Sequence, residues 1–155
     1  MVLKPGILVG HDPAKTDGFS AFLKNLAESI GLKYSVLPGA LVEGDNCIYS
    51  SCLDGAGSLL SLLLKSGFRN VSAILYSPEN NIETFSAFHK IEFPVLIVSR
   101  KGNGRETHDG WFYHDNISGS SMFTVECPNG DIWTNKPSQC ISLTRKFLSN
   151  VYEGF

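Results

Sequence analysis

The sequence predicts an α/β fold, a three-layer α/β/α sandwich built on a mostly parallel sheet of about six strands. Three observations carry that prediction. Short apolar runs that stop at glycine or proline alternate with amphipathic stretches of helical period, the order expected of strands joined by crossover helices. The run Phe93–Val98 is apolar throughout instead of alternating, which implies a strand buried on both faces. Finally, 155 residues that are 43% apolar and 18% charged suffice for one core and leave little room for a second, so residues 1–155 read as a single domain.

Taken in order, Gly6–Gly10 is a short apolar run that ends at a glycine and meets His11-Asp12-Pro13, the pattern of a buried strand stopping at a loop. From Thr16, a residue type suited to an N-cap, Phe19, Phe22, Leu23, Leu26, Ala27 and Ile30 recur at helical spacing, and Gly31 supplies the stop. Lys33–Leu37 reads as a strand ending at Pro38-Gly39, and Cys47–Ser50 as the next. A leucine-rich helix follows from about Gly57 to Lys65 and stops at Gly67. Val71–Tyr76 is a strand, Ile82–His89 a helix with Phe85 and Phe88 on its apolar side, and Phe93–Val98 the buried strand already described. Arg100–Ser121 is polar and glycine-rich without a clear period, so it reads as a long loop or a poorly formed helix. Met122–Glu126 is the last strand and Ser138–Tyr152 a closing helix. In such sheets ligands bind at the carboxyl ends of the strands, which directs attention to the loops after Val9, Ser50, Tyr76, Val98 and Glu126.

Composition narrows the function classes. Thirteen basic against fifteen acidic residues give a formal charge of −2, without the basic excess that binding a phosphate backbone requires, so no nucleic-acid partner is expected. No apolar run approaches the roughly 20 residues of a membrane span, and Met1–Gly10 lacks the features of a secretion signal. Cys47, Cys52, Cys127 and Cys140 form neither a CxxC pair nor a Cys/His cluster, so reduced thiols are expected, with no metal site, no cofactor and a cytoplasmic or otherwise reducing location. The sequons at Asn70 and Asn116 carry no weight in that setting.

The most informative segment is Ile48-Tyr-Ser-Ser-Cys52-Leu-Asp-Gly-Ala-Gly57, a strand passing through small residues straight into a helix. A nucleophile elbow has this form: the apex needs small neighbours two before and two to three after, because the chain turns sharply and the first helical N–H groups must approach the reacting carbonyl. With Cys52 at the apex, Ser50 and Gly55 fit, but Asp54 sits where glycine is usual and its charge opposes a thiolate. With Asp54 at the apex, Cys52, Ala56 and Gly57 are the small positions. Both readings stand at this point, beside a plainer one in which a tight βα turn simply encloses a buried cysteine.

The order of elements and several local signatures resemble the α/β-hydrolase fold over nearly the whole chain. Gly6–His11 resembles the strand leading to that family's oxyanion loop, and Cys52-Leu-Asp-Gly-Ala resembles the elbow of dienelactone hydrolases. Phe123–Pro137, followed by a helix ending Lys146-Phe147-Leu148, resembles the family's last strand, histidine loop and closing helix. The family's helix between the second and third of the matching strands has no counterpart, since only residues 40–48 separate Gly39 from Tyr49, which implies a trimmed core. The resemblance places the family's histidine just after Gly130, where Asp131 stands, and its acid near Asn103. Without an imidazole a cysteine lacks its general base, and an aspartyl ester at Asp54 lacks the group that activates water.

His11 is the best substitute, since the resemblance puts it beside the elbow; His108 and His114 lie in the long stretch after Val98, and His89 reads as a surface residue. The plain alternative for His11 is a loop residue satisfied by backbone or water. Backbone N–H groups at Leu53 and around Gly10–His11 are the candidate oxyanion donors. Trp111 and Trp133 fall outside the expected helices and strands, where they would line a pocket or close the core. A weaker similarity links Cys52–Ser58 and the helix after it to a rhodanese sulfur-transfer loop, against which stand Asp54 and the lack of an arginine near Gly57.

Together these features lead to the expectation of an α/β-hydrolase-like protein with a degenerate triad, which binds a small acyl ligand or a protein partner or forms homo-oligomers. The alternative is an active cysteine hydrolase of esters, thioesters or lactones.

Overall fold

The computed structural model describes residues 3–37, 44–80, 87–102 and 104–155. Among the described residues six strands, β1 (Ile7–His11), β2 (Lys33–Val36), β3 (Cys47–Cys52), β4 (Ser72–Tyr76), β5 (Val95–Lys101) and β6 (Ser121–Glu126), form one sheet in the order β2-β1-β3-β4-β5-β6. Every pairing in it is parallel. The helices are α1 (Phe19–Ile30), α2 (Gly55–Ser66), α3 (Gly104–Asn116), the single turn α4 (Ile132–Asn135) and α5 (Pro137–Val151).

Side-chain alternation along the strands divides the core in two. Leu8, Ile48, Cys52, Ile74, Tyr76, Leu96 and Val98 face α1, α4 and α5. Val9, Tyr49, Ala73, Leu75, Val95 and Ile97 face α2 and α3. All of these strand residues are buried, so the central strands are covered on both sides and the three layers expected from the sequence are present.

The helices follow their sequence signals with informative exceptions. Thr16 does not cap α1; that position belongs to Gly18, in the left-handed region with φ 74°. Thr16 is instead held by Asp12, whose carboxylate accepts its N–H at 2.7 Å and its hydroxyl at 2.8 Å. At the other end, Gly31 (φ 73°) closes α1 and lets the Leu32 N–H return to the Ala27 carbonyl at 2.8 Å. Ile82–Ser86 of the expected third helix lie outside the described residues, as do Pro38-Gly39. Residues 87–90 form one tight turn that buries Phe88.

The main correction concerns Arg100–Ser121. A 13-residue helix, α3, runs through a stretch that looked like a loop or a poorly formed helix. Its inward face is Asp109, Gly110 and Tyr113, which no hydrophobic period would reveal. Polar contacts hold it: the Tyr113 hydroxyl donates to the Glu79 carbonyl at 2.6 Å, and Asp109 accepts the Asn80 N–H at 3.2 Å. Gly110 lets the helix lie directly on Ser99 of β5, for a Cβ there would overlap the Ser99 hydroxyl and come within 2.9 Å of the Met122 methyl.

Gly110→Ala is therefore expected to destabilise the protein by about 1–3 kcal/mol, as over-packing in a filled core does. Ser99→Ala, which removes the obstructing hydroxyl, should restore part of that loss in the double variant. Urea unfolding of the single and double variants is the measurement.

Candidate functional site

At the carboxyl edge, β3 passes into α2 through two residues. Cys52 ends the strand, Leu53 adopts a left-handed conformation (φ 51°), and Asp54 is the N-cap of α2. The residue at the sharpest point is therefore Leu53, neither Cys52 nor Asp54. Its peptide is fully engaged: the N–H donates to the Tyr76 carbonyl at 3.3 Å, and the carbonyl accepts from Glu79 at 2.9 Å and Ala56 at 3.4 Å. The Leu53 N–H is thus not free to serve as the oxyanion donor considered from the sequence. Small residues are required close by, since a Cβ on Gly55 would lie 2.7 Å from the Ser51 hydroxyl and 3.3 Å from Pro13.

Strand parity separates the two groups whose meeting would make a nucleophile. β1 and β3 pair with His11 opposite Ser51, so the His11 ring lies on the α2 side of the sheet while the next residue, Cys52, points to the α1 side. The buried Ser51 hydroxyl donates to the His11 carbonyl at 2.6 Å, and the His11 Nδ1 lies 3.1 Å from the same oxygen. Because that hydroxyl proton is already committed, Nδ1 is the protonated nitrogen of the neutral ring. Burial holds the His11 pKa below its usual value, against the opposing effects of the Asp12 charge and of a backbone hydrogen bond.

Cys52 is 2% exposed and donates to the Thr16 hydroxyl at 3.6 Å. None of the four histidines hydrogen-bonds its sulfur: His11 and His114 pair with Ser51 and with Ser120, and His89 and His108 are exposed. Burial pushes the thiol pKa up to about 12; the Thr16 hydrogen bond opposes this, and the charges of Asp12, Asp131 and Asp54 add to it. Two of the acidic candidates, Asp54 and Asp131, thus act together with Asp12 on a thiol whose ionisation burial already opposes.

Asp131 stands in the loop after β6 as the N-cap of α4, with its carbonyl accepting the Asn135 N–H at 3.0 Å. Asn103 lies outside the described residues. Trp133 is on α4 and not in a loop; its ring packs edge-on against Phe19 with centroids 5.3 Å apart, and its Nε1 donates to the Asp17 carbonyl at 3.2 Å. It closes the core. Trp111 sits on α3, 47% exposed, with His114 edge-on at 5.4 Å. Gly10 ends the buried part of β1, where a Cβ would come within 2.7 Å of the Tyr34 hydroxyl. Beside it a hollow of about 250 Å³ opens between β1, β2 and α1, with Asp12, Lys15, Thr16, Ser20 and Tyr34 offering polar groups. Among the described residues no group of His, Cys, Asp and Glu could hold a metal ion, and no helix is long and apolar enough to cross a membrane.

Three participants escaped the sequence reading. Thr16 and Ser51 are the hydrogen-bond partners of Cys52 and His11, and Arg100 of β5 joins α3 to the loop after β6, pairing with Glu106 at 3.0 Å and donating to the Gly130 carbonyl at 3.1 Å. The Asp12 to Thr16 spacing was the available signal for the first, and alignment of β1 with β3 for the second.

A folded-state pKa raised above the unfolded one means that the thiol adds stability below about pH 9, which is lost as pH rises towards about 12. Cys52→Ala should therefore show a shallower alkaline loss of stability than the natural chain, read from denaturant midpoints across that range. In the native state Cys52 should resist iodoacetamide at neutral pH and react after unfolding.

No protein-family model matches the chain, and no curated protein sequence matches it. Solved structures do. A predicted CIB-like hydrolase from Thermoplasma acidophilum is 17% identical, superposes with a TM-score of 0.73, and aligns over 95% of this chain and 87% of its own. MenH from S. aureus is 10% identical, with a TM-score of 0.73 and 94% of each chain covered. A dienelactone hydrolase from Anabaena variabilis is 9% identical, with a TM-score of 0.71 over 96% of this chain and 88% of its own. At these identities the likeness speaks for architecture, and the architecture of this chain, a parallel six-stranded sheet between two helical layers, is the α/β-hydrolase fold.

Proposed function

We propose that this chain is a non-catalytic protein of the α/β-hydrolase fold, with a binding or complex-forming role at the carboxyl edge of its sheet. The observation that carries the reading is Leu53 at the left-handed point of the β3–α2 turn. In that register the small neighbours of an elbow are Ser51 two before, and Gly55 and Ala56 two and three after, a set as complete as that around Asp54 and, unlike that around Cys52, without a charged residue. An aliphatic side chain thus occupies the place of the nucleophile, and Asp131 that of the general base. A leucine can neither attack a carbonyl nor relay a proton.

The competing reading makes Cys52 the nucleophile of a hydrolase. Against it stand a buried thiol with no imidazole partner and three carboxylates that disfavour its ionisation. A rhodanese-like role at the same cysteine meets the same obstacle, because a persulfide donor site needs a reactive thiolate. A small acyl ligand fits the hollow beside Gly10, whose Phe19, Leu23 and Val36 offer an apolar wall below its polar rim.

With p-nitrophenyl acetate and butyrate, the full chain should give the buffer rate, and Cys52→Ser and His11→Ala should leave it there. Turnover above buffer that disappears in Cys52→Ser overturns the proposal, since loss of a true nucleophile costs several orders of magnitude in rate.

A further inference from the structure

At the opposite edge, by the amino ends of β5 and β6, a hollow of about 310 Å³ lies between the sheet and the last turns of α5. Phe123, Phe147 and Val151 form its apolar side, Phe93, which packs with the α2 and α3 layer, also lines it, and Ser118, Ser121 and Asn150 add polar groups. Glu92 and Lys146 also line it, both exposed. Neither has an ion-pair or side-chain hydrogen-bond partner among the described residues, although the chain pairs Arg69 with Asp45, Arg100 with Glu106 and Lys101 with Glu126. Two opposite charges thus line one aromatic hollow without neutralising each other.

A ligand complementary to this arrangement carries both charges on an apolar body. We propose that the hollow binds a free α-amino acid with an aromatic or large aliphatic side chain, its carboxylate at Lys146, its ammonium at Glu92 and its side chain among the phenylalanines. The volume stands at the lower end of the range for small-molecule sites, which suits one amino acid and not a peptide. The exposed charges contribute weakly and the apolar contact supplies most of the affinity, so binding is weak and selective by charge pattern. The site lies at the other edge of the sheet from the turn at Leu53 and does not depend on the function proposed for that turn.

The test is an amide-shift titration of the full chain with L-phenylalanine, phenylacetate and phenethylamine. L-phenylalanine should move resonances of Glu92, Phe93, Phe123 and Lys146–Val151, and each singly charged analogue should bind about 2- to 5-fold more weakly, the range for an exposed ion pair. In Lys146→Glu, a substitution of an exposed residue, phenethylamine should become the tightest of the three and phenylacetate the weakest. Equal binding of all three, shifts confined to the carboxyl edge, an unchanged order in Lys146→Glu, or no shift up to the solubility limit of L-phenylalanine would each overturn the proposal.

Discussion

The two-residue repeat of β3 decides what the carboxyl edge can do. Successive side chains of a strand leave on opposite faces, so Ser51 and Cys52 cannot share a neighbour across β1. Parallel pairing sets His11 opposite Ser51, and the imidazole is therefore committed to a buried hydroxyl on the α2 side. The thiol is left on the α1 side with Thr16. A shift of one residue in register would exchange these partners, but it would also turn Ile48 and Tyr49 out of their respective core layers, and so the hydrophobic core itself keeps histidine and cysteine apart.

The same edge is electrically unsuited to building up negative charge. Asp12, Asp54 and Asp131 all act on Cys52, and Glu79, beside the Leu53 carbonyl, has its carboxyl pushed above the usual range by burial first and by Asp54 next. An acyl-transfer site stabilises an oxyanion with donors in a dry, positive environment. Here the donor at Leu53 is bonded to Tyr76 and the surrounding side chains are acidic. Sterics, hydrogen bonding and charge thus all act against a nucleophile at Cys52.

Much of the fold was legible because it rests on burial. Phe93–Val98 announces a strand covered on both sides, and Phe19 to Ile30 show the stripe that α1 buries. α3 was not legible, because polar contacts to Glu79 and Asn80 and a glycine pressed on Ser99 hold it in place of an apolar stripe. Within the site, the place of Asp131 in the loop after β6 could be read from its neighbours, whereas the left-handed turn at Leu53 could not. Leu53 and Asp54 both have small residues at the flanking positions, and the backbone torsion distinguishes them. The trimmed connection between β2 and β3 has a further trace: Lys33 and Ser35, which face the α2 side by their register with Ile7 and Val9, are polar, so this end of the sheet face is wettable.

The left-handed backbone at Leu53 costs a side chain with a Cβ about 1–2 kcal/mol relative to an ordinary conformation. In an enzyme such strain is tolerated because it presents a reactive atom. Here it presents a hydrocarbon, yet the turn persists, because the peptide that carries it also ties β3 to Tyr76 and to the loop at Glu79. That peptide is a knot holding the tops of β3 and β4 together, and its shape is set by the backbone and not by the side chain at the tip. On the function proposed above, a turn held by its own peptide would keep this edge in shape for recognition without reaction.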